Sequence, residues 1–227
     1  MRAALVVAML AALPAFAARP LNTEDADALA PGECQVESWL DRSRVETQAW
    51  LVPACDFGAD IEWQAGFARS FAQGSSTFAE AYVQAKWIAR SVRSGNAGFG
   101  AVVGITRHPL HARAHGWDNP YVVLPVSARL GEATTVHANV GWSRDRTPAR
   151  DFSLWGIAAE HMAGPWTLLA ESYGTNRRNP FFRLGGRYAA IKDRLDLDLS
   201  FVTRSGGTSA DRFISAGFLY QTGRFFR

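Results

Sequence analysis

The chain has 227 residues with a formal net charge of +3, and its 24 Lys and Arg are scattered, which excludes the clustered basic footprint of a nucleic-acid binder. Eight Trp, fourteen Phe and twenty Gly beside three Met favour β-structure over a helical bundle. Beyond its opening the sequence holds no run of the ~18 apolar residues that a transmembrane helix needs, so the chain either stays soluble or crosses a membrane as strands.

The opening, MRAALVVAMLAALPAFAARP, has one basic residue, Arg2, an apolar run from Ala3 to Leu13, and small residues at Ala15 and Ala17. This pattern reads as a secretory signal peptide over residues 1–17, with cleavage after Ala17 and a mature chain starting at Ala18; the rival reading is a buried N-terminal helix. Residues 18–32, ARPLNTEDADALAPG, are polar, bounded by prolines and without period. They read as an N-terminal periplasmic extension, not a domain, and their pattern does not say whether they fold into the lumen of a barrel.

From residue 33 to 227 the chain reads as about twelve strand-like pieces separated by turn residues, with ten to fourteen also compatible. The first two, Cys34 to Arg42 and Glu46 to Cys55, form a hairpin. Pairing about its centre sets Trp39 opposite Trp50 and Cys34 opposite Cys55, so an exported chain is expected to carry a disulfide there. A metal site, which would want more Cys and His nearby, and two free thiols are the alternatives.

In the third and fourth pieces Ile61, Trp63, Ala65 and Phe67 alternate with Glu62 and Gln64, and Ala81, Val83, Ala85 and Trp87 alternate with Glu80, Tyr82, Gln84 and Lys86. The fifth sets Phe99, Ala101, Val103 and Ile105 against glycines, which suggests that something approaches that face closely. The sixth and seventh set Val122, Leu124 and Val126 against Ser127 and Arg129, and Val136, Val140 and Trp142 against His137 and Asn139. The eighth is blurred, because Leu154 and Ala158 compete with Trp155 and Ile157 for the apolar side.

The ninth and tenth set Trp166 and Leu168 against Glu171, and Phe182, Leu184 and Tyr188 against Arg183 and Arg187. The eleventh, DRLDLDLSFVTR, alternates Leu195, Leu197, Leu199 and Phe201 with Asp196, Asp198 and Ser200, the period of a strand with one apolar and one acidic face. The twelfth runs from Phe213 to about Gly223.

Connections after even-numbered pieces are mostly short, whereas several after odd ones are longer and polar, notably His108 to Pro120, Arg144 to Arg150, Gly174 to Pro180 and Ser205 to Asp211. Short turns at one end and long loops at the other characterise an outer-membrane barrel. In a soluble sandwich Glu62, Glu80, Lys86, Arg129, Glu171, Arg183, Arg187, Asp196 and Asp198 would be buried in a core, each costing several kcal/mol unless paired. The expected fold is therefore all-β, a single antiparallel up-and-down transmembrane β-barrel, with Trp63, Trp87, Trp142 and Trp166 in an aromatic girdle.

The final segment, SAGFLYQTGRFFR, resembles the terminal strand by which outer-membrane proteins are recognised for insertion, although Arg227 follows its aromatics. The opening residues Arg19, Pro20, Leu21, Thr23, Glu24 and Asp25 resemble the start of a family of exported proteins labelled transporter-like, or outer-membrane proteins of the MetA-type phenol-degradation pathway. That resemblance implies an outer-membrane barrel taking up small solutes, aromatic ones included. It transfers no functional residue.

The leading expectation is a passive pore or transporter in the bacterial outer membrane, not an enzyme and without a cofactor or bound metal. Arg129, Glu160, Glu171, Arg183, Arg187, Asp196 and Asp198 are the candidates for a lumen constriction, the alternative being that they pair with one another and plug the lumen. Its expected partners are outer-membrane lipid and lipopolysaccharide, the barrel-insertion machinery and a small solute. A lipid-modifying enzyme would instead need a serine beside a base, with His137, His161, His108, His111, His115, Ser143 and Ser153 as candidates, but no spacing fixes such a pair. A third reading is a structural or surface-interaction barrel whose loop His108 to Pro120 meets anionic lipopolysaccharide, or a metal, outside.

Overall fold

The computed structural model describes residues 19–225 apart from 59, 73, 108–115, 118, 147 and 148. The expected signal peptide and the loop histidines His108, His111 and His115 lie outside the described residues.

Alternation of apolar and polar side chains gives twelve strands: β1 (Glu33–Arg42), β2 (Thr47–Asp56), β3 (Ile61–Ala72), β4 (Ser75–Arg90), β5 (Ala97–Arg107), β6 (Asn119–Arg129), β7 (Thr134–Arg146), β8 (Ala149–Ala163), β9 (Trp166–Thr175), β10 (Phe181–Ile191), β11 (Leu195–Arg204) and β12 (Arg212–Arg224). Each pairs antiparallel with its sequence neighbours, and β1 closes the barrel against β12. Closure leaves no unpaired strand edge. The even count brings the start of β1 and the finish of β12 to one end, the terminal end; the opposite one is the far end.

The outward face is apolar around the circumference. Val140, Leu184 and Leu199 are about two-thirds exposed, at 62%, 66% and 60%, a state that costs free energy in water but not against lipid tails. Trp63, Trp87 and Trp166 also point outward, close to the terminal end, while Trp142 and Trp155 lie toward the far end. In β8 the ambiguity resolves with Trp155 and Ile157 outward and Gly156, Ala158 and Glu160 inward. Trp39 pairs with Trp50 and Cys34 with Cys55 across β1 and β2, and the two cysteines form a disulfide at the terminal end.

The expected polar loop from Arg144 to Arg150 is instead largely strand. β7 and β8 continue past the apolar band, Arg146 pairs with Ala149 in register, and Arg144 meets Asp151 across the hairpin at 3.4 Å. Charged residues on an exposed hairpin tip read as loop because their polarity hides the pairing.

The placement of residues 19–32, read as an N-terminal extension with its relation to the lumen left open, is decided by the structure. Gly32, with φ of 85°, reverses the chain at the terminal end, where its N–H donates to Asp56 O and its carbonyl accepts from Phe225 N. That left-handed conformation suits glycine because no Cβ crowds the backbone. The preceding residues therefore double back into the lumen, burying Arg19, Thr23, Asp25, Ala26, Asp27 and Leu29.

Candidate functional site

The segment carries no strand, so its main-chain groups need partners from the barrel wall. Inward side chains supply them. Glu171 on β9 accepts from the N–H of Asn22 at 2.8 Å and also from that of Thr23. Asn139 on β7 accepts from Glu24 N at 2.7 Å and donates to Glu24 O at 2.8 Å, a reciprocal pair that fixes the segment's height. Ser127 on β6 accepts from Ala26 N at 2.8 Å, and Glu62 on β3 accepts from Leu29 N at 3.0 Å.

Charge pairing ties down the side chains. Lys86 on β4 binds Asp25 and lies 3.4 Å from Glu24. Asp27 pairs with Arg93 of the short 3-10 turn Val92–Ser94 and accepts from Ser91 Oγ at 2.8 Å. Burial, helped by neighbouring Asp25, pushes the Asp27 carboxyl up to about 6, while Arg93 pulls the other way. Arg19 reaches Asp198 on β11 at 3.2 Å and Ser215 on β12 at 2.8 Å, and its guanidinium lies 3.8 Å from the Trp39 ring centroid.

Of the residues expected in a constriction, Glu160, Glu171, Arg183, Arg187 and Asp198 are buried on the inward wall of β8 to β11. Arg187 meets Glu160 at 2.9 Å and Asp196 at 3.7 Å, Arg183 approaches Glu171 at 3.7 Å, and Arg187 also donates to Arg19 O at 3.1 Å. They form one ion-paired wall on which the segment lies. Arg129 sits apart, half-buried at the terminal end of β6, with its main-chain N–H on Asn96 O.

The opposite wall, from β1 to β4, borders a cavity of about 540 Å³ that runs beside the segment. Trp39 and Trp50 stack there with centroids 5.2 Å apart, and Tyr82 leans on Trp50 at 6.4 Å. The inward glycines have a physical role. A Cβ on Gly104 would lie 2.3 Å from the Tyr121 ring and one on Gly66 2.0 Å from the Tyr82 ring, so their absence lets both phenols lie flat on the wall. Tyr121 donates to Gln84 at 2.7 Å, and Gln84 in turn donates to Glu24 at 3.1 Å.

A serine beside a histidine does occur, at Ser127, a position outside the sequence-derived candidates. His137 Nδ1 lies 2.8 Å from Ser127 Oγ, and His137 Nε2 lies 3.6 Å from Glu160. Ser127 is fully buried and its Oγ already accepts from Ala26 N, so the geometry anchors the segment and presents no accessible nucleophile. His161 faces outward, with its Nδ1 2.9 Å from Thr134 Oγ1. Among the described residues no group of three or more His, Cys, Asp and Glu is arranged to hold a metal ion.

Sequence reasoning missed Glu62, Lys86, Ser127 and Asn139 as partners of the segment, and Trp39 as the seat of Arg19. Their inward direction follows from alternation, but the sequence holds no signal for what they face.

Among solved structures the chain is similar to the KdgM porin, with TM-score 0.63 and 10% identity over 82% of this chain and 98% of that one. It is also similar to the NanC porin, with TM-score 0.55 and 7% identity over 83% and 97%. A further match is the KdgM porin in complex with disordered oligogalacturonate, TM-score 0.61 and 9% identity over 82% and 98%. At these identities the likeness shows the barrel fold. No curated protein matches. The MetA-type phenol-pathway label suggested by the opening residues is not supported, because the family whose model matches is a different one. That model, described as "Uncharacterised conserved protein UCP029691", matches residues 5–219, and the chain belongs to this family.

Proposed function

We propose that the protein is a bacterial outer-membrane pore for small solutes whose lumen is obstructed by its own N-terminal segment. The observation that carries this reading is the way residues 19–32 are held: through hydrogen bonds and ion pairs to inward side chains, inside a closed barrel whose outer surface is apolar. An obstruction fastened by polar contacts, beside an open cavity, can exchange those contacts for ones to water or solute, whereas an apolar core cannot. Twelve strands also enclose more space than the eight-stranded barrels that side chains fill.

The porin-like fold supports the same reading, as does the buried state of Ser127, which argues against catalysis at the Ser127–His137 pair. Lumen residues Glu160, Glu171, Arg183, Arg187, Asp196 and Asp198 form the wall that receives the segment.

Outer-membrane fractionation with heat-modifiable gel migration tests the location, and swelling of proteoliposomes in small sugars tests permeation. Recovery in the outer-membrane fraction with swelling that rises when residues 19–29 are deleted is expected. Correctly folded protein in the membrane that causes no swelling in either form would make it a structural barrel with a plugged lumen.

A further inference from the structure

The first described residue of the segment, Arg19, has a seat of its own in the barrel wall. Arg19 is 6% exposed, its guanidinium lies over the indole of Trp39 at 3.8 Å, and one of its nitrogens contacts both Asp198 and Ser215. Glu37 and Asp41, also on β1, line the same cavity as Arg19 and Trp39, as does Arg183. An aromatic face with carboxylates around it is the arrangement that recognises organic cations.

The barrel side of this seat is built without the segment. Trp39 is stacked on Trp50, its indole Nε1 donates to Asp41 at 3.0 Å, and Asp198 and Ser215 sit on neighbouring strands β11 and β12. The Arg19 side chain fills the seat with its guanidinium, while its main-chain carbonyl accepts from Arg187, and the buried Nε has no hydrogen-bond partner among the described residues. The fit between occupant and seat is thus incomplete, and an unpaired buried donor makes the occupant easier to replace.

From this we infer that the Trp39, Asp198 and Ser215 seat is a binding site for a guanidinium or ammonium solute, and that Arg19 occupies it as a tethered surrogate which such a solute displaces. The proposal rests on the pore reading above, and deepens it by naming the solute class and the contact through which the solute loosens the segment. A tethered occupant competes at high effective concentration, so free solute binds the intact chain weakly and binds much better once Arg19 is gone. The cavity beside the stacked tryptophans, about 540 Å³, gives the approach.

The test is calorimetric titration of the full chain in detergent with methylguanidinium, using N-methylurea as the neutral isostere. Arg19→Ala is expected to bind methylguanidinium at least ~10-fold more tightly than the unaltered chain and to ignore N-methylurea. Adding Asp198→Asn, or Trp39→Leu, to Arg19→Ala is expected to remove that gain, with heat-modifiable migration verifying that each variant is folded. Equal affinity with and without Arg19, no binding by the Arg19→Ala chain, or equal binding of N-methylurea would overturn the proposal. Because the readout is binding, a seat that binds in a barrel that never conducts would defeat the pore reading alone. A conducting barrel with no such binding would defeat the seat alone.

Discussion

Lys86 on β4 and Asp25 of the N-terminal segment form an ion pair whose side chains are 7% and 5% exposed. A buried pair of this kind is expensive to break by removing one partner, about 3–5 kcal/mol, because the other charge is left without compensation. Lys86→Met leaves Asp25 and Glu24 facing an apolar side chain. The expected result is release of the segment, read as a new protease cleavage within residues 19–32 in a barrel that still shows heat-modifiable migration. Protection equal to that of the unaltered chain would show that Lys86 does not hold the segment.

Glu171 bonds two consecutive main-chain N–H groups, and Ser127 and Asn139 bond further ones. Removing an acceptor from a buried donor costs about 1–3 kcal/mol. Glu171→Ala is therefore expected to raise hydrogen exchange at Asn22 and Thr23 more than Ser127→Ala does, since it strands two donors where Ser127→Ala strands one. Hydrogen exchange read by mass spectrometry over this segment checks the order.

Acid is expected to tighten the segment through Asp27. Its carboxyl is pushed up to about 6 when docked, above the ordinary carboxylate range, so the docked state binds the proton more strongly than the released state does. The stabilisation is fully present below the released value near ~4 and is lost as pH rises through about 6; a difference of this size is worth on the order of 2–3 kcal/mol. Protease protection of the segment at pH 5 and pH 7.5, compared between the unaltered chain and Asp27→Asn, measures it. An unchanged pH dependence in Asp27→Asn would assign the effect elsewhere.

The Cys34–Cys55 bond joins positions 21 residues apart at the terminal end of the β1–β2 hairpin, beside the Gly32 reversal. By loop closure a bond of this span is worth about 3 kcal/mol. Replacing both cysteines by serine is expected to lower the temperature at which the barrel loses its fast-migrating folded form on a gel, with the strand pairing otherwise retained.

The barrel was legible in the sequence because its signal has period two and its inward face is too charged for a core: Asp196 and Asp198 against Leu197 and Leu199 illustrate it on one strand. The Trp39–Trp50 and Cys34–Cys55 pairings were legible for the same reason, since a short hairpin fixes register. The position of residues 19–32 was not legible. The segment has no period, and its partners lie from 33 residues away for Glu62 to 196 for Ser215, so only closure of the whole barrel brings them together. Alternation likewise assigned Glu171, Arg183 and Arg187 to the inner face, but it left the strand of Glu160 ambiguous and could not say which cation meets which carboxylate.

The outward face offers a direct check on the membrane reading. Val140 lies midway along β7 and is 62% exposed. Val140→Arg is expected to cost about 2–4 kcal/mol of folding free energy in a bilayer, as a charge placed against lipid tails does, whereas on a water-facing surface it would cost almost nothing. Folding yield into liposomes distinguishes the two.

Single-channel current in a planar bilayer, recorded for the full chain and for a chain lacking residues 19–29, tests the central claim most directly. The account predicts small or rare openings for the full chain and a steady, larger conductance once the segment is removed. Identical currents from two folded, inserted barrels would contradict it.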